Sequence, residues 1–208
     1  MRDNLKWEII ALIEYCKIFN LDIGAFRKAE RPDFQPRFEG FDIGIECTNI
    51  ISTSEHIARS NSPKTRNEWY VSFVDTITES HNFPNDSQRL FKSDDAHRLF
   101  IAVKKKTQQL NEVDYGKFST NALVVRASST FSTLPRIKEF VKEVLKSVSL
   151  CGEANFNPVI ISKDDNNAGF ECLIVDTNDY TITEHHGKRT LSKNERSIVD
   201  SWIEREPE

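Results

Sequence analysis

The sequence predicts an α/β domain with a central mixed β-sheet flanked by helices. Three observations indicate this class. Helix-like and strand-like patterns alternate along the chain, one strand is apolar at almost every position, and others are apolar at every second position. The chain has 208 residues, 38% of them hydrophobic and 29% charged, which suits one soluble domain with a full core. We therefore expect residues 1–208 to form a single domain.

Apolar residues that recur every three or four positions predict the helices. The first is expected from Asp3 to Phe19, with Trp7 broadening its apolar stripe and Asn20 closing it. Ser192 and Glu195 have the spacing of a capping box, which predicts the start of a last helix. Two further helices are expected between these, over residues 94–113 and 134–148.

Extended segments lie between the predicted helices. Strands are expected over residues 21–26, 30–34, 41–45, 121–127, 159–162 and 170–176. A turn over residues 36–40 would join the second and third strands, and the last two strands would pair across a polar turn. Residues 52–95 have the least regular pattern, so we expect them to be an insertion within the domain.

Charge and cysteine content narrow the functional class. A formal net charge of −4 argues against a broadly basic nucleic-acid binder, although a nuclease needs positive charge only where phosphates pass. The four cysteines lack metal-ligand spacing, which favours buried free thiols in a reducing cytoplasm. No apolar run approaches the roughly 18 residues that a membrane span needs, and the N-terminus does not resemble a signal peptide. We expect a cytoplasmic protein without membrane contact.

Two carboxylates are expected to meet at the second and third strands. Asp33 follows a proline, and Glu46 lies thirteen positions later among apolar residues, where an ionised group is costly without a partner. On two antiparallel neighbours both side chains can reach one point. Mg²⁺ prefers one or two carboxylates together with waters and substrate phosphate, so the pair predicts a divalent metal site. Each residue alone also has a purely structural interpretation: Asp33 could cap a turn, and Glu46 could be an exposed residue of a strand.

Pro32-Asp33 followed by Glu46-Cys47-Thr48 resembles the core of the PD-(D/E)XK nuclease superfamily, which pairs an Asp after a proline with an acidic-x-Lys triplet on the next strand. The resemblance covers roughly residues 5–127 and implies a restriction-endonuclease-like core. It also implies that Asp33 and Glu46 bind Mg²⁺ or Mn²⁺ for phosphodiester hydrolysis. Thr48 replaces the usual lysine of the triplet. Members of the superfamily with Glu-x-Thr commonly supply a lysine from the following helix.

Lys106 is the candidate for that migrated lysine. The helix predicted over residues 94–113 carries an apolar stripe with spacings of four and three, made by Leu99, Val103, Lys106, Leu110 and Val113. By the resemblance, Lys106 would orient the attacking water. The alternative is a lysine at the edge of the stripe that extends its ammonium group into water.

The superfamily also places a glutamate on the first helix. Glu8 and Glu14 both compete for this role, and we favour Glu8 because its distance from the first strand is similar to the family's spacing. The resemblance therefore implies four catalytic residues, namely Asp33, Glu46, Lys106 and Glu8, of which the first two would bind the metal ion.

The predicted activity is a magnesium-dependent nuclease, an endonuclease in preference to an exonuclease, acting on DNA in preference to RNA. A homodimer is expected because cutting both strands of a duplex usually requires two sites. A small acidic nuclease of this kind would suit bacterial or phage (antiviral) defence, with further protein partners. Because the triplet lacks its lysine, the alternative is a catalytically inactive form of the fold that binds nucleic acid or assembles with other proteins.

Overall fold

The computed structural model describes residues 3–50, 94–116, 118–127, 138–149, 154–164 and 169–204. Within these ranges a seven-stranded mixed sheet carries helices on both faces, which confirms the predicted α/β class. The helices are α1 (Asp3–Phe19), α2 (Asp94–Leu110), α3 (Lys138–Ser149) and α4 (Lys193–Glu204). The strands are β1 (Phe26–Lys28), β2 (Phe34–Pro36), β3 (Ile43–Ile50), β4 (Thr120–Ala127), β5 (Val159–Asp164), β6 (Gly169–Val175) and β7 (Ile182–Lys188).

The strands lie side by side in the order in which the chain makes them. β3, β4 and β5 are parallel, and every other neighbouring pair is antiparallel. The parallel strands form the centre of the sheet and are covered on both faces, which explains the nearly continuous apolar run of β4. β2 pairs with β3 through Phe34 opposite Ile45, the antiparallel arrangement that the sequence predicts for this pair.

Two hydrophobic clusters pack against the two faces of the sheet. One contains buried residues of α1 and α4, and the other contains buried residues of α2 and α3. Because successive side chains of a strand point to opposite faces, Ile45 and Cys47 of β3 lie on the α1 side, whereas Glu46 points toward α2. The described cysteines, Cys16, Cys47 and Cys172, are buried free thiols, as predicted.

The end of α1 and the start of α4 follow the predicted local signals. α1 has the predicted bounds, and Asn20 after it has φ 52°, the left-handed conformation that ends the helix. At α4 the Ser192 backbone N–H donates to Glu195 Oε2 at 2.7 Å, and the Glu195 N–H donates to Ser192 Oγ at 3.2 Å. These reciprocal hydrogen bonds confirm the capping box.

Several element boundaries differ from the prediction. Residues 21–25 do not form a strand, because the Asp22 carboxylate accepts the Gly24 N–H at 2.8 Å and caps a short 3₁₀ helix, Ile23–Ala25. β1 begins only at Phe26. α2 ends at Leu110, so Val113 is 95% exposed and does not belong to its apolar face. The predicted insertion, residues 52–95, lies almost entirely outside the described residues.

β7 is absent from the sequence prediction. It reads Ile-Thr-Glu-His-His-Gly-Lys, and all of its positions are exposed or half-buried because, among the described strands, it lies at the edge of the sheet beside β6 alone. Such a strand lacks the apolar alternation by which strands are predicted. In the described part of the chain, none of the helices is both long and apolar enough to cross a membrane.

Candidate active site

Asp33 lies directly before β2 and is anchored to β3. Its Oδ2 accepts the backbone N–H of Cys47 at 2.8 Å, and its Oδ1 lies 3.4 Å from Nζ of Lys28. The residue is buried. The antiparallel pairing of β2 with β3 therefore brings Asp33 to the strand position next to Glu46, as the spacing predicts.

Glu46 is a buried carboxylate with two side-chain partners. Its Oε1 forms an ion pair with Lys106 of α2, and its Oε2 accepts the Tyr115 hydroxyl at 3.0 Å. Burial, and then the negative charge of Asp33, raise the pKa of the Glu46 carboxyl, while Lys106 and Tyr115 act in the opposite direction. The lysine predicted to face inward on this helix does reach the carboxylate of the triplet.

Tyr115 is a site residue that the sequence prediction misses. It follows α2, is buried, and packs edge-on against Phe156 at 6.4 Å between ring centroids. Burial, and then the charge of Glu46, raise the pKa of its hydroxyl, which therefore stays protonated and donates to Glu46. The contact joins residues 69 positions apart, so no local pattern indicates it.

Glu8 joins the cluster through Lys28 of β1. The Lys28 ammonium lies 2.9 Å from Glu8 Oε2 and 3.4 Å from Asp33 Oδ1, so it bridges the two carboxylates. Burial, and then the charge of Asp33, raise the pKa of Glu8. Burial lowers the pKa of Lys28, but Asp33 and Glu8 outweigh this effect and the pKa is raised overall. Lys28 therefore carries a full positive charge inside the cluster.

Glu14 lies elsewhere, in a separate polar network. It is fully buried; its Oε2 accepts the Ser162 hydroxyl at 2.6 Å, and its Oε1 accepts Nε–H of Arg189 at 2.6 Å. Arg126 Nη1 lies 3.2 Å from the same Oε1. Of the two competing glutamates on the first helix, the structure brings Glu8 and not Glu14 to Asp33.

A cleft of about 210 Å³ opens beside this cluster. Its walls come from α1, from the carboxyl-terminal half of β3 and from α2, and its lining includes Trp7, Glu8, Asn49, Lys105 and Lys106. Thr48, which stands where the triplet usually has lysine, also lines the cleft. Lys106 thus reaches from α2 into the space that a lysine at position 48 would face.

The donor set suits a hard divalent cation. No group of three or more His, Cys, Asp or Glu side chains with metal-binding geometry occurs among the residues that the structure describes. The cluster instead offers the oxygens of Asp33 and Glu46, with Glu8 held beside Asp33 through Lys28. Mg²⁺ commonly takes one or two protein carboxylates and completes its shell with waters and substrate phosphate, so these residues fit Mg²⁺ or Mn²⁺.

Comparison of the chain with protein-family models, with curated proteins and with solved structures gives no match.

Proposed function

We propose that the protein is a metal-dependent nuclease with a restriction-endonuclease-like core. The observation that carries the proposal is the ion pair between Lys106 and buried Glu46. These two residues are 60 positions apart in the sequence, and Glu46 is close enough to Asp33 to feel its negative charge. Burying charged groups costs free energy even when they are paired. Clusters of coupled, buried ionisable groups beside a cleft are typical of catalytic sites.

The strand arrangement agrees with the proposed core. Pro32-Asp33 precedes β2, β2 runs antiparallel to β3, and β3 carries Glu46-Cys47-Thr48. The parallel neighbour β4 follows after α2. This is the order that the resemblance implies, with the lysine supplied from α2 instead of the triplet.

Each residue of the cluster has a distinct role in the proposed mechanism. A bound metal ion would polarise the scissile phosphodiester and lower the pKa of an attacking water. The Cys47 N–H fixes one oxygen of Asp33, and the Tyr115 hydroxyl fixes one oxygen of Glu46, so both carboxylates are oriented before substrate binds. Lys106 has N–H donors beyond the one that Glu46 accepts, and these can hold a phosphate oxygen or the water.

Glu8 is the proposed proton acceptor of the site. It lines the cleft, and its raised pKa makes it a stronger base than an ordinary glutamate. Lys28 holds its carboxylate at 2.9 Å. We propose DNA as the substrate in preference to RNA, with endonucleolytic cleavage by a homodimer, and bacterial or phage defence as the setting.

The test is cleavage of plasmid and of linear DNA with Mg²⁺, with Mn²⁺ and with EDTA. We expect EDTA to abolish activity, and Asp33→Asn, Glu46→Gln and Lys106→Met to lower kcat/KM at least about 100-fold. Asp200→Asn on α4 and Lys188→Met on β7 change exposed residues outside the cluster and serve as matched controls. Full activity of Glu46→Gln would contradict the mechanism.

A catalytically inactive binding or assembly module is the second candidate. The observation that favours it is Thr48 in place of the triplet lysine. In that case the wild-type protein would bind nucleic acid or a protein partner, and cleavage would be absent with either metal ion. The cleavage assay separates the two candidates, because only the nuclease cuts DNA in the presence of Mg²⁺ or Mn²⁺.

A further inference from the structure

Trp7 is a residue of α1 that does not pack into the core, contrary to its predicted place on the apolar stripe. Leu5 and Ile9 on the same helix are buried, whereas Trp7 is 41% exposed and forms part of the cleft wall. An indole exposed to solvent does not contribute the favourable free energy that burial of its large apolar surface would give. The exposed ring lies next to Glu8, so it is a neighbour of the proposed catalytic cluster.

Arg126 of β4 fixes the indole from one side. Its guanidinium lies over the Trp7 ring, 5.1 Å from the centroid, within reach of a cation–π interaction. Arg126 is itself only 2% exposed and is ion-paired to Glu14 at 3.2 Å and to Asp164 at 2.7 Å. A ring whose orientation is set before binding loses little conformational entropy when a ligand stacks on it.

Two polar groups of the cleft have no partner within the described part of the chain. Lys106 is engaged by Glu46, but Lys105, the preceding residue of α2, is exposed and makes no ion pair there. The side-chain amide of Asn49 also lines the cleft without a hydrogen bond to a described residue. A free ammonium group suits a phosphate, and a free amide suits the polar edge of a nucleobase.

We infer that this cleft is a nucleotide subsite, in which Trp7 stacks on one nucleobase, Asn49 hydrogen-bonds its edge and Lys105 contacts a phosphate of the same strand. The inference deepens the proposed nuclease function and rests on it for a nucleic-acid substrate. Stacking on an aromatic ring is tolerant of sequence because every base has a π-face. The subsite thus positions a strand beside Glu8 without reading its sequence strictly.

The subsite selects a base that is not stacked within a duplex. Both faces of a base inside a double helix are covered by its neighbours, so the indole can reach only a single-stranded base or one turned out of the helix. We therefore expect binding through Trp7 to favour single strands, frayed ends or distorted duplexes over a fully paired duplex.

The experiment measures binding of a short fluorescein-labelled single-stranded DNA to the full chain by fluorescence anisotropy. EDTA is present throughout, so that no metal-dependent cleavage occurs. Trp7→Ala is expected to weaken binding about 5- to 100-fold, whereas Trp7→Phe, which keeps a ring, retains most of the affinity. Lys105→Met is expected to reduce the slope of log Kd against log salt concentration by about 0.7, the loss of one phosphate contact.

Phe38→Ala provides the matched control. Phe38 is 66% exposed in the turn between β2 and β3 and does not line the cleft, so its removal should leave binding unchanged. Circular dichroism checks that each variant is folded. If Trp7→Ala does not fold, Asn49→Ala and Lys105→Met decide the question, since both should weaken binding and unchanged binding by both would contradict the subsite.

Two results would overturn the subsite. The first is that the wild-type protein does not bind single-stranded DNA, and the second is that the wild type and Trp7→Ala bind it equally well. Unchanged binding by Trp7→Ala together with intact Mg²⁺-dependent cleavage would contradict the subsite alone. Absence of cleavage together with Trp7-dependent binding would contradict the nuclease proposal and support the subsite.

Discussion

Lys28 lies between Asp33, a proposed metal ligand, and Glu8, the proposed proton acceptor. Its ammonium lies 2.9 Å from Glu8 and 3.4 Å from Asp33, close enough to attract both. A divalent cation bound by Asp33 would be drawn by the same negative charge, so the two cations compete. Lys28 also relieves the repulsion between the carboxylates while no metal ion is bound.

Lys28→Met should therefore affect metal affinity and stability in opposite directions. Removal of the competing charge is expected to tighten Mn²⁺ binding about three- to tenfold, measured by isothermal titration calorimetry. In EDTA the same variant should unfold at a lower temperature than the wild type, because buried carboxylates lose their counter-ion. Weaker Mn²⁺ binding by Lys28→Met would show that Lys28 supports the metal site instead of competing for it.

The positions of individual residues were predictable where the spacing along the sequence restricts how two side chains can lie. The thirteen positions between Asp33 and Glu46 suit two antiparallel strands, and the apolar stripe of α2 places Lys106 inward. Tyr115 was not predicted as a site residue, and the bridge that Lys28 makes between Glu8 and Asp33 was not predicted either, because these contacts depend on how β1 and the segment after α2 pack against β3. Local sequence patterns carry no information on that packing.

α4 supports the site at the scale of one element. Trp202 of α4 packs against Phe34 of β2 with 5.7 Å between ring centroids, and Phe34 is the residue directly after Asp33. Glu195 ties the start of α4 to α1 through an ion pair of 2.8 Å with Lys17. Weaker packing of α4 would therefore disturb β2, the strand that directly follows Asp33.

Glu195→Ala should lower the free energy of unfolding by about 1 kcal/mol at pH 7, because it removes half of the capping box and the Lys17 contact. Lys17, and then the Ser192 N–H, lower the pKa of Glu195 from its ordinary 4.5. A carboxyl whose pKa is lowered on folding stabilises above its ordinary pKa and loses that effect as the pH falls through the folded value. Chemical denaturation from pH 7 to pH 3 should thus show the difference shrinking below about pH 4.5.

The matched control on the same helix is Asp200→Ala. Asp200 is exposed on α4, so this change should alter stability by less than about 0.5 kcal/mol at either pH. A Glu195→Ala penalty that stayed constant down to pH 3 would mean that the ionised carboxylate does not contribute to it.

Element-scale prediction was most accurate where caps and long periodic patterns coincide. α1 and α4 combine an apolar stripe with an identifiable end, Asn20 in one and the capping box in the other. β1 and β7 were misjudged because short or half-exposed edge strands obtain their conformation from a neighbouring strand. Their own residues, such as the polar run of β7, do not specify it.

At the scale of the molecule, the site exists only when several elements have packed. α1 contributes Glu8, β1 contributes Lys28 and α2 contributes Lys106. Asp33 comes from the position directly before β2, and Glu46 comes from β3. When all are ionised, three carboxylates and two ammonium groups leave one negative charge (2 − 3 = −1). A buried site with a residual negative charge beside an open cleft attracts a cation. The class of the fold was predictable from patterning, and the resemblance predicted Asp33, Glu46, Lys106 and Glu8 as residues of one site. It did not predict the bridge that Lys28 makes or the contact of Tyr115 with Glu46.

The central claim is that Asp33 and Glu46 bind one divalent cation beside Lys106. A crystal soaked in Mn²⁺ and measured for anomalous scattering tests it most directly. We predict one strong peak within roughly 2.0–2.5 Å of both carboxylates in the wild-type protein, and its loss in Glu46→Gln. No peak at these residues, or a peak elsewhere with the Asp33–Glu46 pair unchanged, would contradict the account.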